Sequence, residues 1–124
     1  MVEKYLYKDL TEKLIGFTFD IYKQIGPRYP EYVYQRAFES KLKDSDVGHI
    51  KESYCKVELD GKKIASFRLD FLVENKVVVE LKVRDYPLST DVAQVLTYMK
   101  ANSLKVGLIL RFSVDRVIVK RLVL

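Results

Sequence analysis

Apolar residues recur at helical spacing in the first third of the chain and at strand spacing in most of the rest. Leu10, Leu14, Phe17, Ile21 and Ile25 fall on one face of a helix over residues 9–25. Gly26-Pro27 ends it. Pro30 suits the first turn of a second helix over about 30–43, with Tyr34, Ala37, Phe38 and Leu42 on one side. Residues 44–50 read as a loop. Three strands follow over about 51–59, 63–73 and 76–84, the first two joined at Asp60-Gly61. Pro87 breaks the pattern. Ser89 or Thr90 can cap a helix over about 90–102, with Asp91 favoured in its first turn by the helix dipole. Strands over 105–112 and 116–123 close the chain.

The order is therefore ααβββαββ, an α/β arrangement with a mixed β-sheet flanked by helices. The step from strand 76–84 through a helix to strand 105–112 calls for a right-handed crossover between parallel strands.

Three charges interrupt this pattern. Asp70, Glu80 and Lys82 stand in the run Phe67-Arg-Leu-Asp-Phe-Leu-Val-Glu-Asn-Lys-Val-Val-Val-Glu-Leu-Lys-Val83, which otherwise reads as two apolar strands. Burying an unpaired charge is costly, so such groups neutralise one another or hold a metal. Alternation puts Val78, Glu80 and Lys82 on one face and Val77, Val79 and Leu81 on the other. Register decides whether Asp70 joins them. A three-residue loop at 74–76 sets Asp70 opposite Glu80, whereas a two-residue loop at 74–75 sets it opposite Val79, on the wrong face. In the first case the two carboxylates lie about 5 Å apart at Cβ. They then repel unless a cation lies between them or one takes a proton. Oxygen ligands with open positions suit Mg²⁺ or Mn²⁺, and Lys82 could orient a water against a phosphodiester. Spacing alone leaves this reading level with a second one, a cross-strand salt-bridge cluster on a solvent-facing strand.

A length of 124 residues and 48% hydrophobic content fit a single domain over 1–124 with its own core. Cys55 is the only cysteine, which excludes an intramolecular disulfide and a cysteine-based zinc site and reads as a small buried hydrophobe. The N-terminus lacks a signal-peptide apolar region and no apolar run is long enough to cross a bilayer, so a cytoplasmic protein without membrane association is expected. The 22 basic residues against 17 acidic ones give a net charge of +5, which favours a polyanionic partner. Candidate phosphate contacts are Lys62, Lys63, Arg68, Lys100, Lys105, Arg111, Arg116, Lys120 and Arg121, most of them expected to be ordinary solvated charges. His49 is a lone loop histidine. Glu31 and Tyr34 sit at i and i+3, and Gln94 and Tyr98 at i and i+4; spacing by itself favours a first-turn acid for Glu31 and core packing for Tyr98.

Asp70 with Glu80-Leu81-Lys82 resembles the signature of the PD-(D/E)XK nuclease superfamily, and the element order resembles its restriction-endonuclease-like core. More narrowly, residues 8–123 resemble the GxxExxY family of small prokaryotic and viral proteins. The matching stretches are Asp9-Leu-Thr-Glu-Lys-Leu-Ile-Gly16, Ile25-Gly-Pro27 leading to Glu31-Tyr-Val-Tyr34, Phe67-Arg-Leu-Asp70, Val79-Glu-Leu-Lys82 and Gln94-Val-Leu-Thr-Tyr-Met-Lys100. The resemblance implies metal ligands at Asp70 and Glu80, a catalytic lysine at Lys82 and a helix carboxylate at Glu31 that approaches the metal. It also implies that Gln94 and Tyr98, with Tyr34, line the site or contact substrate. The glycine that opens the family's motif is Arg28 here, a residue that adopts positive φ only at a cost.

The expected function is hydrolysis of a nucleic-acid phosphodiester with Mg²⁺ or Mn²⁺, on DNA rather than RNA, with a homodimer as a plausible grip on the substrate. Two rivals stand beside it. One is a nucleic-acid-binding module without turnover, against which the intact acid pair counts. The other is a protein–protein adaptor, which calls for an exposed apolar patch in place of a basic rim.

Overall fold

The computed structural model of the chain describes residues 6–85 and 89–124. The first helix, α1 (Lys8–Ile25), closes on Gly26, whose N–H still bonds the Tyr22 carbonyl at 2.8 Å and whose φ of 74° turns the chain out of the helix. The second helix, α2 (Glu31–Asp44), begins one residue after Pro30, which stands at the cap rather than inside the first turn. A hairpin of two long strands follows, β1 (His49–Leu59) and β2 (Lys62–Val73), and His49 and Ile50 belong to strand rather than loop. Then come β3 (Val77–Lys82), α3 (Ser89–Ala101), β4 (Val106–Phe112) and β5 (Val117–Val123). Ser89 is already helical, so the cap of α3 and the break at Pro87 fall outside the described residues.

The five strands form one sheet in the order β1-β2-β3-β4-β5. Only the β3–β4 pair is parallel, as a helical crossover between them requires. The helices cover opposite faces. Val77, Val79 and Leu81 of β3, with Leu108 and Leu110 of β4, pack against Leu14, Tyr34, Phe38 and Leu42 of α1 and α2. Val78 and Ile109 pack on the other face against Val95, Tyr98 and Met99 of α3. At Gly107 a Cβ would come within 2.9 Å of Val95 and Met99, so glycine there lets α3 close on β4. Among the described residues no helix is long and apolar enough to cross a membrane.

Turn chemistry fixes the register. Asp60 and Gly61 both have positive φ, the conformation of a type I′ hairpin turn. Glu74 and Asn75 each have φ 54°, and the Lys76 N–H closes on the Val73 carbonyl at 2.9 Å. Val73 therefore faces Val77, which is the three-residue loop.

Arg28 keeps φ at 75°, the backbone shape that glycine adopts freely and arginine does not. Nothing in its exposed position requires the arginine side chain for the fold. Arg28→Gly is therefore expected to raise the unfolding free energy by about 0.5–1 kcal/mol in urea titrations. An unchanged or lower midpoint would show that the side chain contributes more than the strain costs.

Candidate active site

Phe71–Val79 is the last ladder pair before β2 and β3 part. Beyond it, Asp70 and Glu80 face each other, and their side chains take over the role of the ladder. The Asp70 N–H donates to Glu80 Oε1 at 3.1 Å, and the Leu81 N–H donates to Asp70 Oδ2 at 2.7 Å. The opposite edge of β2 is disturbed at the same level. Lys51–Phe71 and Ser53–Leu69 pair normally, but Glu52 between them has φ 54° and forms no ladder pair with Asp70. There β2 also changes sides: Phe71 and Val73 face α1 and α2, whereas Leu69 packs beneath α3. Strict alternation would keep all three together.

Both carboxyl groups are buried, at 6% and 7% exposure. Burial is the main reason that both titrate above the ordinary carboxylate range. Glu80 is pushed up to about 8, with the Asp70 charge adding to the effect. For Asp70, the Leu81 N–H, Glu80, Lys82 and Gln35 oppose the rise without cancelling it. Lys82 Nζ stands 3.2 Å from Glu80 Oε2, too little positive charge to hold both acids ionised.

The N-terminal turn of α2 reaches the pair from one side. Gln35 Nε2 donates to Asp70 Oδ1 at 2.7 Å and to Glu31 Oε2 at 3.3 Å. Glu31 is half-buried, and burial followed by the Asp70 charge raises its pKa. The first turn of α3 reaches it from the other side. Buried Asp91 lies 3.8 Å from Lys82 Nζ and accepts from the Arg84 guanidinium at 2.6 Å. Arg111, opposite Lys82 on β4, bonds both Asp91 and the Arg84 carbonyl.

The structure thus gathers Asp70, Glu80, Lys82 and Glu31, but not Tyr34 or Tyr98. The Tyr34 ring is fully buried, stacks on Phe112 at 4.1 Å and donates its hydroxyl to the Gly26 carbonyl at 2.6 Å. Tyr98 is 2% exposed and its hydroxyl is bonded to Ser53 Oγ. Neither ring is presented to a substrate, so the expected contacts do not match these placements. Gln94 does reach solvent, in a groove of about 290 Å³ beside Phe67 and Thr90. Arg111 is not a surface phosphate contact, being 4% exposed, and Arg121 is half-buried and bonds Thr11 and the Leu6 carbonyl. Gln35, Asp91 and Arg84 were not foreseen as site residues. Gln35 is one helical turn from Glu31, and an arginine inside the apolar Val106–Phe112 strand signals a buried counter-charge, which Asp91 supplies.

Among the described residues no three His, Cys, Asp or Glu side chains gather closely enough to form a metal cluster by themselves. The donor set is two carboxylates, both short of positive charge. That chemistry fits a hard divalent cation that keeps several waters, as Mg²⁺ and Mn²⁺ do.

Residues 8–122 match the family model of the PD-(D/E)XK nuclease superfamily. Members of that superfamily generally use divalent metals. No curated protein matches the chain. The crystal structure of SSO0001 superposes with a TM-score of 0.60 at 20% identity, over 73% of this chain and 48% of that one. The likeness is one of fold, and the chain spans about half the length of that structure.

Two outcomes follow. Tyr34→Phe should cost about 1–2 kcal/mol of stability in denaturant titrations, because it leaves the Gly26 carbonyl without its buried donor, and should leave any catalytic rate unchanged. Glu80 binds its proton more tightly when folded, so the stability linked to it is full at acid pH and drains away as pH rises from about 4.5 to about 8. Glu80→Gln removes that loss. The melting temperature of the variant relative to wild type should climb between pH 5 and pH 9; a flat difference would show that Glu80 titrates normally.

Proposed function

From the premise that this chain belongs to the PD-(D/E)XK nuclease superfamily, we propose that it is a nuclease. It would hydrolyse nucleic-acid phosphodiesters with Mg²⁺ or Mn²⁺, acting on DNA in preference to RNA. The observation that carries this reading is the pair of buried carboxylates in the gap between β2 and β3, with Lys82 3.2 Å away. Backbone N–H groups alone can be satisfied by an ordinary ladder, so burying two acids against one close lysine costs more than a structural role requires. The narrower resemblance to the GxxExxY family supports the same roles for Asp70, Glu80, Lys82 and Glu31.

Asp70 and Glu80 would hold the metal, and Glu31 would face it across the Gln35 amide. When bound, the cation would polarise a phosphate oxygen and acidify a water. Glu80 must lose its proton to serve as a ligand, so binding at neutral pH releases a proton. Gln35 holds Asp70 by Oδ1, and the Leu81 N–H holds it by Oδ2, so its carboxylate is set before any ligand arrives. Lys82, held between Glu80 and Asp91, would orient the attacking water and offset negative charge developing on the phosphoryl oxygens. Gln94, which lines a groove with Phe67 and Thr90, is the remaining candidate for substrate contact.

The excess of 22 basic over 17 acidic residues is met equally by a second reading, a nucleic-acid-binding module without turnover. Cleavage of labelled single-stranded, duplex and branched DNA with Mg²⁺, Mn²⁺ or EDTA decides between them. Metal-dependent cleavage is expected, reduced on the order of 100-fold or more in Glu80→Gln and in Lys82→Ala, with both variants folded. Calorimetric titration with Mn²⁺ in two buffers of different ionisation enthalpy should show proton uptake by the buffer near pH 7, absent in Glu80→Gln. Salt-dependent DNA binding without cleavage would support the binding module, and cleavage equal in all variants would place the chemistry elsewhere.

A further inference from the structure

The helix α2 and the β1–β2 hairpin, which both contribute to the Asp70 site, each carry an exposed tyrosine beside an arginine. On α2, Tyr32 is 54% exposed and the Arg36 guanidinium lies 5.1 Å from the centre of its ring. On the hairpin, Tyr54 of β1 is 64% exposed and is the register partner of Arg68 on β2. Opposed residues of an antiparallel pair have Cβ atoms about 5 Å apart, within reach of these long side chains.

Both pairs adjoin residues of the carboxylate site. Each helical residue turns about 100° from the last, so Tyr32 and Arg36 lie on the flank next to Glu31 and Gln35, which face Asp70. That flank looks toward β1: farther along it, Glu39 reaches Lys51 at 3.3 Å and His49 at 3.7 Å. On β2, Arg68 precedes Asp70 by two residues, and its positive charge is felt at Glu31.

We propose that the substrate enters as an unpaired strand, with bases stacked on Tyr32 and Tyr54 and phosphates held by Arg36 and Arg68 beside the carboxylate pair. The proposal rests on the nuclease reading for the class of polyanion. Exposed tyrosine rings offer faces to which any unstacked base can add, and arginine supplies both a phosphate contact and a cation for the ring. A duplex hides its base faces inside its own stack and would leave both rings idle. Among the described residues the one acid paired with either arginine, Glu52, stands 3.6 Å from Arg68 with both side chains about half exposed. Such a pair is worth little and yields readily to a phosphate.

The test is fluorescence anisotropy of a labelled 20-nucleotide oligothymidylate and a 20-base-pair duplex, in EDTA so that neither is cut. The single strand should bind at least 10-fold more tightly than the duplex at equal salt. Tyr32→Ala and Tyr54→Ala should each weaken single-strand binding by about 5- to 150-fold and leave duplex binding unchanged. Phenylalanine at either position should keep the affinity, since the ring and not the hydroxyl is used. Arg68→Ala should reduce the slope of log affinity against log salt by about 0.7. Equal or tighter duplex binding, or alanine variants that bind the single strand like wild type, would overturn the proposal. Its failure is separable from that of the nuclease reading. Metal-dependent duplex cleavage with indifferent tyrosine variants defeats the stacking platform alone. Tyrosine-dependent strand binding with no cleavage in any metal defeats the nuclease alone.

Discussion

Everything at the site depends on one interruption: the ladder between β2 and β3 stops after Phe71–Val79. A regular sheet spends its backbone N–H and C=O groups on neighbouring strands. At Asp70 and Glu80 those bonds run through carboxylates instead, from the Asp70 N–H to Glu80 and from the Leu81 N–H to Asp70. The acids are thus part of the hydrogen bonding that holds the strands together. They are also buried, which raises the pKa of both, and the Asp70 charge raises Glu80 further, which leaves the gap in want of positive charge. Stability and ligand affinity are opposed here, as is common where polar groups are buried for chemistry rather than for folding.

The fold brings neutralising and orienting groups to this gap from elements distant in sequence. Gln35 comes from α2, Asp91 from α3, and Arg111 from β4. Lys82 sits between two acids, one on its own strand and one at the start of α3, where the helix dipole also favours a negative charge. Arg84 and Arg111 share Asp91, so the lysine is not alone in satisfying it. The whole constellation lies at the carboxyl end of β3, where open α/β sheets leave a crevice for ligands.

Beyond the gap, the β1–β2 hairpin runs on with its outer face bare, carrying Tyr54 and Ile64 at more than half exposure. That face is neither a uniform basic rim nor an apolar patch. Tyr54 stands opposite Arg68 there, and on α2 the Arg36 guanidinium lies over Tyr32. A buried carboxylate pair beside a mixed aromatic and basic surface is an arrangement suited to gripping a flexible polyanion.

The sequence by itself determined the element order, because periodicity of 3.6 or 2 and the punctuation at Gly26-Pro27 and Asp60-Gly61 are local properties. It also marked Asp70, Glu80 and Lys82, since charges in apolar strands are conspicuous whatever surrounds them. It left the register open, and the left-handed pair Glu74 and Asn75 decided it in favour of the longer loop. Tertiary structure alone decided which polar residues meet. Tyr34 and Tyr98 have site-like spacing, yet their hydroxyls are taken by Gly26 and Ser53 inside the core. Gln35 and Asp91 look like ordinary helix residues until packing sets them against Asp70 and Lys82. Helical spacing says which residues share a face, but what that face touches depends on how helices dock across a sheet, a non-local matter of volume and buried charge.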